Sequence, residues 1–423
     1  MSVAHSASGA SAAEPFDPRH AERIARAFEL RTPPEPFRDD PYPYYAALRT
    51  HDPVRTMGDG SVFLTRYDDV SAVYRSASAS SDKKVEFAPK FGDSPLYEHH
   101  TTSLVFNDPP LHTRVRRLIL GALSQRAVSR MEAGVVQLVD RLLDAMQEKE
   151  RVDLIDDFAA AIPVEVIGNL LAVPREARGP LRNWSLAILG ALEPVPTDAM
   201  LERGNRSVRE FGAFLDELIG DRRAHPLDPE EDVLTRLIRG EGDGERLMQR
   251  ELVHNCIFLL NAGHETTTNL IGNGMDALLR HPDSLQRLRD DASLVNSAIE
   301  EMLRYESPLQ LNNRRLVGEV ELSDRTLAAG TFVTLCIGAA NRDPTRFPEP
   351  DRFDVARKPN RHFAFGHGDH ACAGMSVARL EGRIAVGRLL ARFPVIERDG
   401  EPERDRRIRF RGFRHLPARV RAA

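Results

Sequence analysis

A mostly helical fold with a small β portion is what this chain of 423 residues predicts, and three observations carry the prediction. Apolar residues recur at three-to-four spacing through most of the chain. Runs of alternating β-formers are few and short. No glycine- and serine-rich linker, internal repeat or long charge block divides the sequence. The length alone would allow two or three domains, but this organisation predicts one continuous unit.

In chain order, helical periodicity covers 42–49, 68–75, 110–120, 131–147, 158–171, 181–192, 200–221 and 231–237. Strand-like runs fall at 62–65, 317–322 and 331–337, with 408–411 and 418–420 expected as a final pair. The stretch from Ser81 to Asn107 is interrupted by Pro89, Gly92 and Pro95, so it reads as a long irregular loop. A long helix is predicted from Gln249 to Arg280, stopped by His281-Pro282. Shorter ones follow at Leu294–Tyr305 and Met375–Phe393. Residues 1–35 are expected to form a partly disordered N-terminal extension to a domain spanning 36–423.

Composition excludes several classes. A net charge of −5 and a pI near 6.3 give no global attraction to nucleic acid or to an anionic membrane. No apolar run reaches bilayer-spanning length, and Met1 to Glu14 is small and polar, neither signal peptide nor anchor. The three cysteines, Cys256, Cys336 and Cys372, show no paired spacing, which predicts a reducing compartment and no disulfide framework.

The chemistry concentrates at Phe365-Gly366-His367-Gly368-Asp369-His370-Ala371-Cys372-Ala373-Gly374. A thiolate metal ligand needs one side open to the metal and backbone N–H donors on the other, and glycines permit that close approach. The following helix favours negative charge at its N-terminus, so the thiolate is expected to stay deprotonated. Six specified positions in this pattern would coincide by chance in about one in 10⁵ such chains. The pattern Phe-Gly-x-Gly-x-His-x-Cys-x-Gly resembles the haem-thiolate signature of the cytochrome P-450 family. The resemblance implies a single-domain fold with haem b between the long central helix and the cysteine-loop helix. It also implies Cys372 as axial iron ligand, with Phe365, Gly366 and Gly374 shaping its loop.

Further motifs agree in order along the chain. Mid-helix, Ala262-Gly263-His264-Glu265-Thr266-Thr267-Thr268 is poor helix material, and local unwinding is expected there. Reductive cleavage of dioxygen consumes two protons, which a hydroxyl and an acid can relay. The segment resembles the family's acid-alcohol pair, giving Glu265 and Thr266 as catalytic residues. A zinc-protease reading of His264-Glu265 fails because Thr268 stands where the second histidine is needed. Glu301 and Arg304 share a helix face at i, i+3. By resemblance they form a buried network with Arg352. His112, Arg116, His370 and Arg314 are the candidates for the haem propionates, with Arg315 an open alternative to Arg314. Phe87, Phe91, Leu96, Ala262, Gly263, Leu309 and Leu311 are expected to line an apolar substrate pocket, with polar anchoring from His99, His100 or Asn312.

The function implied is insertion of one oxygen atom from O2 into an apolar organic substrate. Neither a nucleotide fingerprint nor a four-cysteine spacing appears, so electrons are expected from a separate ferredoxin or flavodoxin with an NAD(P)H-dependent reductase. Arg114, Arg117, Arg361 and Arg379 are candidates for its docking patch. The resemblance further implies a cytoplasmic monomer that has no membrane anchor and binds no nucleic acid. Two rivals are a peroxide-driven haem-thiolate enzyme and, less favoured, a non-enzymatic haem sensor.

Overall fold

The computed structural model describes residues 16–240 and 246–422. Its axis is the helix Gln249–Arg280, with the bounds expected from sequence. Glu251 accepts a hydrogen bond from the Met248 N–H at 2.9 Å to start it, and Pro282 opens the next helix, Pro282–Asp290, after a turn at His281. Nearly every side chain of its second half is buried. On one side it packs with the helices Gln125–Gln147, Val295–Tyr305 and Met375–Arg392 around a first apolar cluster. On another, it meets the helices Ala161–Leu170, Leu181–Gly190, Asp198–Ala224 and Val233–Arg239 around a second.

The β portion lies beside this body. A five-stranded sheet runs in the order Val54–Thr56, Val62–Leu64, Phe332–Cys336, Leu311–Leu316, Ala79–Ser80, with one parallel pairing at its centre between Val62–Leu64 and Phe332–Cys336. A three-stranded sheet places Pro417–Arg421 between Arg151–Asp153 and Val395–Arg398.

Several expectations are corrected. Residues 81–107 are not an irregular loop, since they hold the helices Lys84–Phe91 and Pro95–Thr102. The punctuating residues mark helix ends: Gly92 closes the first at φ +60°, and Ser94 caps the second, accepting from the Tyr97 N–H, with Pro95 at its first position. Residues 408–411 are not a strand pairing with 418–420. Arg407, Arg409 and Arg411 do alternate with Ile408 and Phe410, but both faces are inside: the apolar pair joins the core while the arginines reach buried polar groups. Of 317–322 only Val320–Glu321 is strand, and the longer strand is the preceding Leu311–Leu316. Within the expected extension, the helix Ala21–Ala27 packs on Tyr42–His51 through Ala25 and Phe28, both buried. The packed body therefore begins before residue 36, while the expected frayed start at Met1–Glu14 lies outside the described residues.

Candidate active site

Gly366 and Gly368 sit at φ +67° and +72°, and a Cβ on Gly368 would lie 2.8 Å from the Tyr74 carbonyl oxygen, so the loop is open to glycine alone there. Gly374, by contrast, has an ordinary φ of −92° and begins the helix Met375–Arg392. The Cys372 N–H donates to the Phe365 carbonyl at 2.8 Å, closing the loop and turning the sulfur outward. Cys256 and Cys336 are buried, whereas Cys372 is exposed and lines an internal cavity. Burial pushes the Cys372 thiol up, while the Gly374 N–H, Arg116 and Arg379 pull it down.

The same cavity is lined by Phe365, Gly366, Gly374, His112, Arg116 and His370 on the cysteine side. The rings of His112 and His370 lie 3.9 Å apart, and His112 Nε2 is buried without a partner. Burial and the charges of Arg314, His112 and Arg116 push His370 down to about 3. Arg314 is buried on the strand Leu311–Leu316 and donates to Asn312 Oδ1 at 3.1 Å, whereas Arg315 alternates to the other side. This crowd of donors and cations, set against Asp108, is the chemistry that two carboxylates require. With an outward thiol beside it, the site fits haem.

From the central helix the cavity receives Ala262, Gly263 and Thr266. The helix does not unwind there. The Thr266 and Thr268 hydroxyls donate to the carbonyls of Ala262 and His264, four residues back, at 2.7 and 3.0 Å, leaving the turn helical. Gly263 makes room for Ile167, whose Cδ1 would stand 2.9 Å from a Cβ. Glu265 is buried and points elsewhere, paired with Arg407, which Asp405 also holds at 2.5 and 3.0 Å. This acid–arginine–acid cluster was not legible, because Arg407 lies far along the chain. Burial raises Asp405 to about 7. Glu381, on the cysteine-loop helix, also lines the cavity and is raised to about 8 by burial.

Glu301 and Arg304 pair as expected, both fully buried, at 2.7 and 2.8 Å. Arg352 does not complete the network. Its side chain is 62% exposed and pairs with Glu349; only its carbonyl accepts from Arg304. The second arginine is Arg357, whose Nε donates to Glu301 at 3.2 Å, joined by the Asn360 amide at 3.1 Å. The turn at 350–357 carries Arg352 outward and Arg357 in.

Of the expected pocket residues, Leu309 and Leu311 line the cavity, as do His99, His100 and Asn312. Phe87, Phe91 and Leu96 do not. The two phenylalanines pack on His100 and on each other, and Leu96 sits against Gly204. Of the expected docking arginines, Arg114 pairs with Glu251, and Arg379 with Glu300 at 2.7 and 2.8 Å.

A thiol and a helical threonine on one cavity agree with the family comparison, in which the model described as cytochrome P450 matches residues 186–418. This chain belongs to the cytochrome P450 family. Cytochrome P450 107B1 of Saccharopolyspora erythraea is 38% identical over 408 residues, covering 90% of this chain and 96% of that protein. The vitamin D(3) 25-hydroxylase of Pseudonocardia autotrophica is 39% identical, covering 85% of this chain and 87% of that one. A solved structure of P450BioI with a hexadec-9Z-enoic acid ligated acyl carrier protein superposes with a TM-score of 0.86 at 34% identity, covering 91% of this chain and 99% of that one. The protein is therefore a cytochrome P450 monooxygenase with haem b as its cofactor.

Proposed function

We propose that this P450 inserts one oxygen atom from O2 into an apolar organic substrate, drawing electrons from a separate ferredoxin or flavodoxin served by an NAD(P)H-dependent reductase. The observation that carries the reading is that Cys372 and Thr266 share one cavity whose remaining wall is mostly apolar, including Leu189, Leu192, Phe258, Leu309 and Phe410. Cys372 would hold the haem iron, with His112, Arg116, His370 and Arg314 at the propionates and Phe365, Gly366 and Gly374 shaping the loop. Haem bound there supplies dioxygen activation, assisted by electron density from the thiolate.

The chain's own residues handle protons and position. Thr266 donates to Ala262, so toward the cavity its hydroxyl oxygen offers an acceptor that can hold a water or a protonated group. Glu265, buried and paired with Arg407, would serve as the acid of the relay on release from that arginine. The apolar wall excludes bulk water and holds the substrate by burial.

Among the described residues, no helix is long and apolar enough to cross a membrane, which supports a cytoplasmic site of action. Arg117 and Arg361 are exposed, and with Arg114 and Arg379 they form the patch that would meet the partner.

The test is reconstitution with ferredoxin, its reductase and NADPH under isotopically labelled O2. One labelled oxygen atom in the product is expected. In Thr266→Ala, NADPH use should persist while product per NADPH falls about a hundredfold, because the acceptor that holds the proton-delivering water is gone. Turnover with peroxide alone and none with the ferredoxin system would overturn the proposal.

A further inference from the structure

Besides Thr266, Glu381, Asn312 and Arg409, the mostly apolar cavity wall carries one further polar cluster away from the cysteine loop. His99 and His100, consecutive on the helix Pro95–Thr102, and Asn261 on the central helix line it together. Each is at least nine-tenths buried. Their side chains carry about eight hydrogen-bonding sites. Yet the one bond among them is a long contact between Asn261 Nδ2 and His99 Nε2, at 3.5 Å. His99 Nδ1, His100 Nε2 and Asn261 Oδ1 have no partner within the protein. Unpaired buried polar atoms are costly, so three of them beside an apolar chamber point to a ligand group that completes the set.

We propose that this patch anchors a single uncharged oxygen function, a hydroxyl or ketone, on an otherwise apolar substrate. The inference rests on the monooxygenase reading above and names its substrate class.

Charge on the patch agrees. Burial, with neighbouring positive groups, pushes His100 down to about 3 and His99 well below the usual imidazole value. Both rings are thus neutral, and each offers one donor and one acceptor. A carboxylate would need a cation. Arg409 lines this cavity, but its guanidinium is held by the Leu192 carbonyl at 3.0 Å and Asn313 Oδ1 at 2.6 Å, and its charge is already answered by the nearby carboxylates of Glu86 and Glu193. The Lys90 ammonium donates to the Glu193 carbonyl at 2.8 Å. An ammonium ligand would find no carboxylate among His99, His100 and Asn261. Phe87 and Phe91, with ring centroids 5.5 and 5.3 Å from His100, hold its imidazole in place.

The test titrates the haem-loaded enzyme with two series, reading the Soret shift: androstane, androstanol, androstanone and an androstane carboxylic acid, then dodecane, dodecanol, dodecanone and dodecanoic acid. In at least one series the alcohol or ketone should bind about tenfold tighter than its parent hydrocarbon, with the acid weaker than either. His99→Phe, His100→Phe and Asn261→Leu, each made separately, should abolish that preference while hydrocarbon binding persists. Equal affinity of hydrocarbon and alcohol in the unmodified enzyme would overturn the anchor. So would tightest binding of the acid, or no response to any probe in an enzyme with a normal thiolate spectrum. Loss of the thiolate spectrum would instead overturn the monooxygenase reading beneath it.

Discussion

The floor and the roof of the cavity are built on opposite principles. Behind the cysteine loop, Glu301 accepts from Arg304 Nε and Nη2, the Asp354 N–H, Arg357 and Asn360, so its buried charge is fully answered. Asn341, bonded to Arg304 through its carbonyl, accepts the Phe363 N–H at 2.7 Å and passes that rigidity to the loop. In the roof, His99, His100 and Asn261 are as deeply buried but keep polar atoms unpaired. The difference teaches where each part's partners come from. The floor is completed by the chain itself, as fixed ligation geometry requires, whereas the roof leaves polar atoms without a protein partner, as a substrate anchor would.

Breaking the floor should produce the largest effect. Glu301→Ala strands Arg304 and Arg357 and should cost about 3–5 kcal/mol, giving haem-poor protein with a much lower denaturation midpoint. Normal haem loading and stability in that variant would remove the floor's claimed role. Glu381, raised to about 8 from its ordinary 4.5, lies between the two regimes as a buried acid with Oε2 unpaired. Across that window the folded state keeps a proton that the unfolded state has lost. Stability should therefore fall as pH rises from about 4.5 to about 8, and Glu381→Gln should flatten the curve of melting temperature against pH. The smallest effects belong to His100→Phe and Arg352→Ala. Replacing an unpaired polar ring by an apolar one of similar shape should leave thermal stability unchanged or raised. Removing the exposed Arg352 side chain should shift it by no more than about 0.5 kcal/mol. A large loss in either would erase the contrast.

The same contrast explains what could be read from sequence. The floor was legible because its residues are local: the cysteine loop is one run of ten residues, and Glu301 and Arg304 share one helical turn. The helix Gln249–Arg280 declared its end through His281-Pro282. Arg357 was missed in favour of Arg352 because a tight turn, not a period, decides which of the two faces inward. The roof was read as loop because Gly92 and Pro95 break periodicity whether they end helices or prevent them. Arg407 gave no local signal toward Glu265, since ion pairs between distant segments leave no spacing to detect. In 407–411 an alternating pattern imitated a strand because arginines pointed into a charged interior instead of solvent.

The central claim is that Cys372 is the thiolate ligand of a haem whose opposite face shares the Thr266 cavity. The spectrum of the carbonmonoxy ferrous form tests it most directly. The unmodified protein should show the red-shifted Soret band of a thiolate-ligated haem, and Cys372→Ala should lose it. A band at the position typical of histidine ligation in the unmodified protein, or a thiolate band surviving in Cys372→Ala, would contradict the account.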